Sequence, residues 1–117
     1  MNADDLETHI RSLRYLVEQL VGNDSQTYSV VRDFEPTKGS LKDKTFDVAF
    51  LRVTAEPYNF PSAVHTKPIL VAMNTGAPFA TQGSGIGPEW QYWSRRYDRP
   101  HTPRGIWAHV LTIFGEI

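Results

Sequence analysis

The chain has 117 residues, 40% of them hydrophobic and 21% charged, which suits one modest core and excludes a disordered segment or a multi-domain machine. Twelve Lys and Arg against thirteen Asp and Glu leave a formal net charge of −1, so no global field draws the chain onto nucleic acid or an anionic membrane. The lack of cysteine excludes disulfide frameworks, thiolate zinc sites and thiol nucleophiles, and no apolar run reaches the ~18 residues that cross a bilayer.

In chain order, the acidic opening Met1-Asn2-Ala3-Asp4-Asp5 is unlike a basic signal peptide, and the reading is a soluble, cytoplasmic, single α+β domain over 1–117. Leu6, Ile10, Leu13, Val17 and Leu20 recur at alternating spacings of four and three, predicting an amphipathic helix that ends at Gly22. Tyr28, Val30 and Phe34 alternate with polar residues in a strand over 27–35, and a second strand covers 45–54 beyond a hairpin loop at 36–40. After a proline-punctuated passage, Ile69 to Met73 reads as a short buried strand. Residues 74–88 hold four of the eight glycines without a period and read as a functional or mobile loop. Pro88 then opens a short helix carrying Trp90, Trp93 and Tyr97 on one side, and Ile106 to Phe114 closes the chain as a central strand. The predicted fold is thus an N-terminal helix on a mostly antiparallel four-stranded sheet, with a short second helix before the last strand.

The charge is not evenly spread. Ten of the thirteen acidic residues lie at or before Glu56, whereas seven of the eight prolines and all three tryptophans lie after it. In the second part, Arg95, Arg96, Arg99 and Arg104 are interleaved with Trp90, Tyr92, Trp93, Tyr97 and Trp107, and Asp98 is the one acid among them. Guanidinium groups beside aromatic faces can clamp a phosphate and stack a base, and the same residue types dominate protein interfaces. The candidate ligand-binding set is therefore Trp90, Trp93, Arg95, Arg96, Tyr97, Arg99 and Arg104. The bland alternative buries the aromatics and leaves the arginines solvated.

No catalytic set stands out. Gly83-Ser84-Gly85-Ile86-Gly87-Pro88 lacks the Lys-Ser/Thr of a phosphate loop, and Ser84 lacks the flanks of a nucleophile elbow. A metal-free nuclease would have to draw its acid and base from His65 and His101, with Glu56 as partner and Arg95, Arg99 or Arg104 on the phosphate. No metal site and no cofactor are expected. The favoured function is a non-enzymatic binding or assembly subunit working through 74–107, with a protein partner or self-association and no membrane. The alternative is a nucleotide- or nucleic-acid-handling protein.

In element order, and in the stretch Gly105-Ile106-Trp107-Ala108-His109-Val110-Leu111-Thr112-Ile113-Phe114, the chain resembles phage tail-terminator (tail completion) proteins. That resemblance implies a helix, three strands, a further helix and a closing strand, a ring-forming assembly role, and a place in a virion.

Overall fold

The computed structural model describes residues 1–61, 63–74, 76 and 80–115. Two helices and six antiparallel strands form one α+β unit: α1 (Ala3–Ser12), β1 (Val17–Val21), β2 (Thr27–Phe34), β3 (Phe46–Leu51), β4 (Ala63–Lys67), β5 (Thr81–Ser84), β6 (Gly87–Ser94) and α2 (Pro103–Gly115). The sheet order is β1-β2-β3-β4-β6-β5. None of the described helices is long and apolar enough to cross a membrane.

The expected α+β class holds, but the sheet has six strands rather than four, and three local expectations change. The first helix is shorter than its periodicity suggests. Asn2 caps it with a reciprocal Asp5 contact, and it stops at Ser12, with Arg14 in a left-handed conformation at φ 76°. Beyond that break Val17 and Leu20 belong to β1, where they face opposite sides of the sheet, Val17 in the helix-side core and Leu20 against the other cluster. The expected short helix after Pro88 is instead β6. Trp90 and Trp93, three residues apart, fall on opposite faces there, and both are buried because both faces of this sheet are apolar. The expected closing strand is α2: Ile106, Trp107, Val110, Ile113 and Phe114 are buried at helical spacing, and Thr102 with Pro103 at the first turn forms an N-terminal start signal.

The glycine-rich stretch is partly ordered pairing. Of the 74–88 segment, residues 75 and 77–79 lie outside the described residues, while 81–94 form the β5–β6 hairpin with Gly85 and Ile86 at its turn. Ile69 to Met73 is no strand. Its backbone is held by the buried Gln91 side chain, whose Oε1 accepts from Leu70 N–H (3.0 Å) and Val71 N–H (3.3 Å) and whose Nε2 donates to Val71 C=O (2.8 Å).

Both helices cover one face of the sheet. The main core there gathers Leu6 and Ile10 of α1, Val31, Phe34, Phe46, Val48, Phe50, Val64 and Trp93 of the sheet, and the apolar side of α2. Glu7 points into this side and is buried. Burial opposes its charge, but hydrogen bonds from the Ser29 hydroxyl, Arg52 Nε (2.9 Å) and Gln19 Nε2 (3.4 Å), with the Arg52 charge, hold the carboxyl below its usual range. One carboxylate thus ties α1 to β1, β2 and the segment after β3.

The other face curls. Asn23 N–H donates to Ile86 C=O (2.9 Å) and Asp24 N–H to Gly85 C=O (3.0 Å), so the β1–β2 turn meets the β5–β6 turn across the sheet. Glycine is needed at this crossing: a Cβ on Gly22 would sit 2.7 Å from Asp24 Oδ1 and 3.0 Å from Ile86 Cα, and one on Gly85 2.6 Å from Asp24 Oδ2. Under the joined turns lies a second, smaller cluster of Tyr28, Val30, Ala49, Ile86 and Trp90.

Candidate functional site

The arginine and aromatic segment is split by the fold. β6 ends at Ser94, and the residues that follow run over the helix side toward α2. Trp90, Trp93 and Trp107 are core residues, and the Trp93 indole N–H donates to Thr66 Oγ1 (2.9 Å). Arg95 is half-buried. Its Nη1 donates to the carbonyls of Ala80 (2.9 Å) and Ser94 (2.7 Å), with the guanidinium 5.4 Å from the Trp93 ring centroid, and burial pushes the group below its usual pKa.

Arg96 is exposed beside it. Tyr97 is half-buried, its ring centroid 5.2 Å from Phe60, 5.0 Å from His101 and 4.9 Å from His109. Phe60 N–H donates to His101 Nδ1 (3.2 Å), so the ring hydrogen of a neutral His101 resides on Nε2. Phe60, Arg95, Arg96, Tyr97 and His101 line an open cleft of about 460 Å³, and among the described residues no carboxylate lies on its wall.

The remaining arginines lie elsewhere. Arg99 Nη2 donates to Thr112 Oγ1 (3.0 Å) on α2, and Arg104 is exposed on the first turn of that helix. Of the sequence-derived ligand set, only Arg95, Arg96 and Tyr97 share a cleft. The sequence gives no sign of Asn59, Phe60 and Ser94, because their role depends on the segment before β4 folding back against the end of β6.

The histidines divide between the faces. His101 and His109 both touch Tyr97; burial and the Arg99 and Arg95 charges push His109 down, with Asp98 opposing. His65 lies on the other face, in a cleft of about 350 Å³ that it shares with Asp24, Tyr28, Gln82 and Tyr92. Its Nδ1 is 2.8 Å from Ser84 Oγ, which also accepts Ile86 N–H (3.1 Å), and its ring packs edge-on against Tyr28 (5.2 Å) and Tyr92 (5.3 Å). Asp24 accepts from the Tyr28 hydroxyl (2.6 Å), and burial, followed by that bond, pushes the phenol up.

A serine beside an imidazole invites a nucleophile and base. Burial, only partly offset by Asp24, pushes His65 down to about 4, however, well below the near-neutral range a general base needs. The pair therefore clasps β4 to the β5–β6 turn. Glu56 is exposed in the segment after β3. His65 and His101, the acid and base of the nuclease alternative, lie on opposite faces of the sheet, and Glu56, its partner, lines neither of their clefts.

A different surface, not legible in the composition, lies at β1. Arg32 N–H donates to Leu16 C=O (2.9 Å) and Gly22 N–H to Gln26 C=O (2.9 Å), so by antiparallel alternation Leu16, Glu18, Leu20 and Gly22 face β2 while Val17, Gln19 and Val21 face outward. Val17 C=O takes Arg11 Nη2 (2.9 Å). Among the described residues nothing bonds the outward backbone of Gln19 and Val21. Leu13, Leu16 and Val21 are exposed around this edge, at 43%, 61% and 66%. At the opposite edge, Asn74 bridges Thr81 and so covers the start of β5. The signal for this edge was present in the turn residues Gly22-Asn23-Asp24-Ser25, which mark a hairpin directly after Val21.

The chain matches no protein family, no curated protein and no solved structure.

Proposed function

We propose that this protein is a small assembly subunit that binds by extending its sheet at β1, in the first instance onto β1 of a second copy. The supporting observation is the open edge: outward amides and carbonyls at Gln19 and Val21, flanked by the exposed side chains of Leu13, Leu16 and Val21. An unpaired strand edge is a template for another strand, and soluble proteins ordinarily blunt such edges with charge, proline or a covering loop. Here one edge carries a backbone cover at Thr81, whereas among the described residues the other is met only by the Arg11 side chain at Val17. Antiparallel pairing centred on Gln19 sets the outward groups of Gln19 against those of Gln19 in the second copy, a self-complementary arrangement in which Val21 N–H of each copy displaces Arg11 from the Val17 carbonyl of the other. Trp90, Trp93 and Trp107 are buried, so the tryptophans of the 74–107 stretch offer little contact area, which favours β1 as the working surface. A self-associating subunit of a viral particle is the form implied by the sequence resemblance to tail-completion proteins, although the element order and closing strand that carried the resemblance are not those of the fold.

Light scattering after gel filtration over a concentration series tests this. The protein should self-associate, and Val21→Lys or Leu16→Glu, both at exposed positions, should shift it to monomer with an unchanged circular dichroism spectrum. A wild-type chain that stays monomeric at every concentration, or variants that associate as the wild type does, would overturn the reading.

A further inference from the structure

The cleft between the end of β6 and the segment before β4 differs from the rest of the surface in its chemistry. Its wall brings together Arg95, Arg96 and His101 with the Ser94 hydroxyl, beside the rings of Phe60 and Tyr97, and among the described residues no carboxylate lines it. Three features make it more than a solvated basic patch. Arg95 is fixed by its two bonds to Ala80 and Ser94 and by its contact with Trp93, so its charge is held in place rather than carried on a free side chain. His101 is oriented by the Phe60 amide, which occupies Nδ1 and leaves Nε2–H as a donor. α2, a helix of 13 residues, begins at Pro103, so its positive end lies two residues from His101 in the chain. At about 460 Å³ the cleft falls within the usual range for small-molecule sites.

We propose that this cleft is a binding site for a phosphate monoester, with Arg96 and the His101 Nε2–H donating to the phosphate oxygens, Arg95 supplying fixed positive charge, and the Tyr97 and His101 rings lying beside the organic part. The two planar donors suit the oxygens of a tetrahedral anion, and no carboxylate among the described lining residues competes for Arg96 or His101. The site lies away from the β1 edge and stands or falls independently of the assembly reading.

The test is titration of the full chain with adenosine monophosphate, inorganic phosphate and adenosine, followed by amide NMR shifts and calorimetry. The monophosphate should move the amides of Phe60, Ser94, Arg95, Arg96 and His101, with an affinity that falls as salt rises. Arg96→Ala should weaken binding by about tenfold, as expected for the loss of one charge-assisted contact, whereas Arg104→Ala, the same loss of charge outside the cleft, should leave it within about twofold. Equal binding of inorganic phosphate supports the site and assigns a free anion as its ligand; tighter binding of the monophosphate supports it and assigns an ester. Adenosine binding as well as its monophosphate, equal weakening by both arginine variants, or no response from any probe would each overturn the proposal.

Discussion

The two faces of the sheet are both apolar, but they are closed by different means. The helix side is closed by volume: Trp93, Phe34 and Phe50 of the sheet and Phe114 of α2 are almost fully buried between sheet and helices, and their rings meet edge-on or tilted, as at Phe34–Phe114 (5.6 Å) and Trp93–Phe114 (5.2 Å). Among the described residues no helix covers the other side. It is closed by backbone, through the two hydrogen bonds between the β1–β2 and β5–β6 turns, by the His65–Ser84 contact, and by glycines that let the turns approach. The lesson is that a covering layer can be replaced by curvature, at the cost of making stability depend on a few turn residues rather than on summed side-chain area.

Variants on the two faces should therefore fail differently. The largest effect is expected on the helix side, where Trp93→Ala removes a fully buried indole and leaves Thr66 without its partner; the loss should be about 3–5 kcal/mol by urea denaturation. If the corresponding Trp90→Ala costs as much, the two faces are not distinct in the way described.

Next comes acid. His65, pushed down to about 4 by burial, is neutral in the folded chain over a range where the unfolded chain takes up a proton. The folded pKa lies below the unfolded value of 6.5, so stability falls as pH drops from about 6.5 to about 4, by at most about 3 kcal/mol. His65→Gln should flatten that slope in thermal melts across pH. An unaltered slope would place the acid sensitivity elsewhere. Glu7, on the helix side, acts at lower pH. Its folded pKa is lowered, so its contribution is complete above 4.5 and disappears as pH falls through the folded value, and Glu7→Gln should remove that later loss.

Smaller effects separate the glycines. Gly22→Ala forces a methyl group against Ile86 Cα and Asp24 and should cost about 1–3 kcal/mol, since backbone must shift. Gly83→Ala, where a Cβ would meet nothing within 4 Å, should change stability by less than about 0.5 kcal/mol in the same denaturation series. Equal costs at the two positions would remove the turn crossing as the closing device.

Several parts of this fold can be read along the chain. Alternation places Tyr28, Val30, Phe46, Val48 and Phe50 correctly on strands, because each contacts its own strand neighbours whatever lies beyond. Leu6 and Ile10 likewise mark α1. The misreadings share one cause. Trp90 and Trp93 mimic helical spacing because both faces of β6 are buried, and Val17 and Leu20 continue the α1 rhythm by coincidence after Arg14 has already turned the chain. Conversely, α2 looks continuous enough to pass for a central strand, although Thr102-Pro103 announces a helix start.

The candidate cleft was half legible. Arg95, Arg96 and Tyr97 stand out by composition, but Arg99 and Arg104 stand out equally and are turned onto α2, and Phe60 and Asn59 are brought in from more than thirty residues away.

The sequence by itself determined the class of the protein: one α+β unit without thiol chemistry, its acidic charge gathered early and its arginines late, since composition and local periodicity depend only on neighbours in the chain. Tertiary structure alone decided which arginines share a cleft, which histidines meet, which edge of the sheet stays open and how its uncovered face is sealed. Those outcomes follow from strand order and curvature, which bring together the turns at Asp24 and Gly85 and separate His65 from His101, and no local spacing encodes either distance.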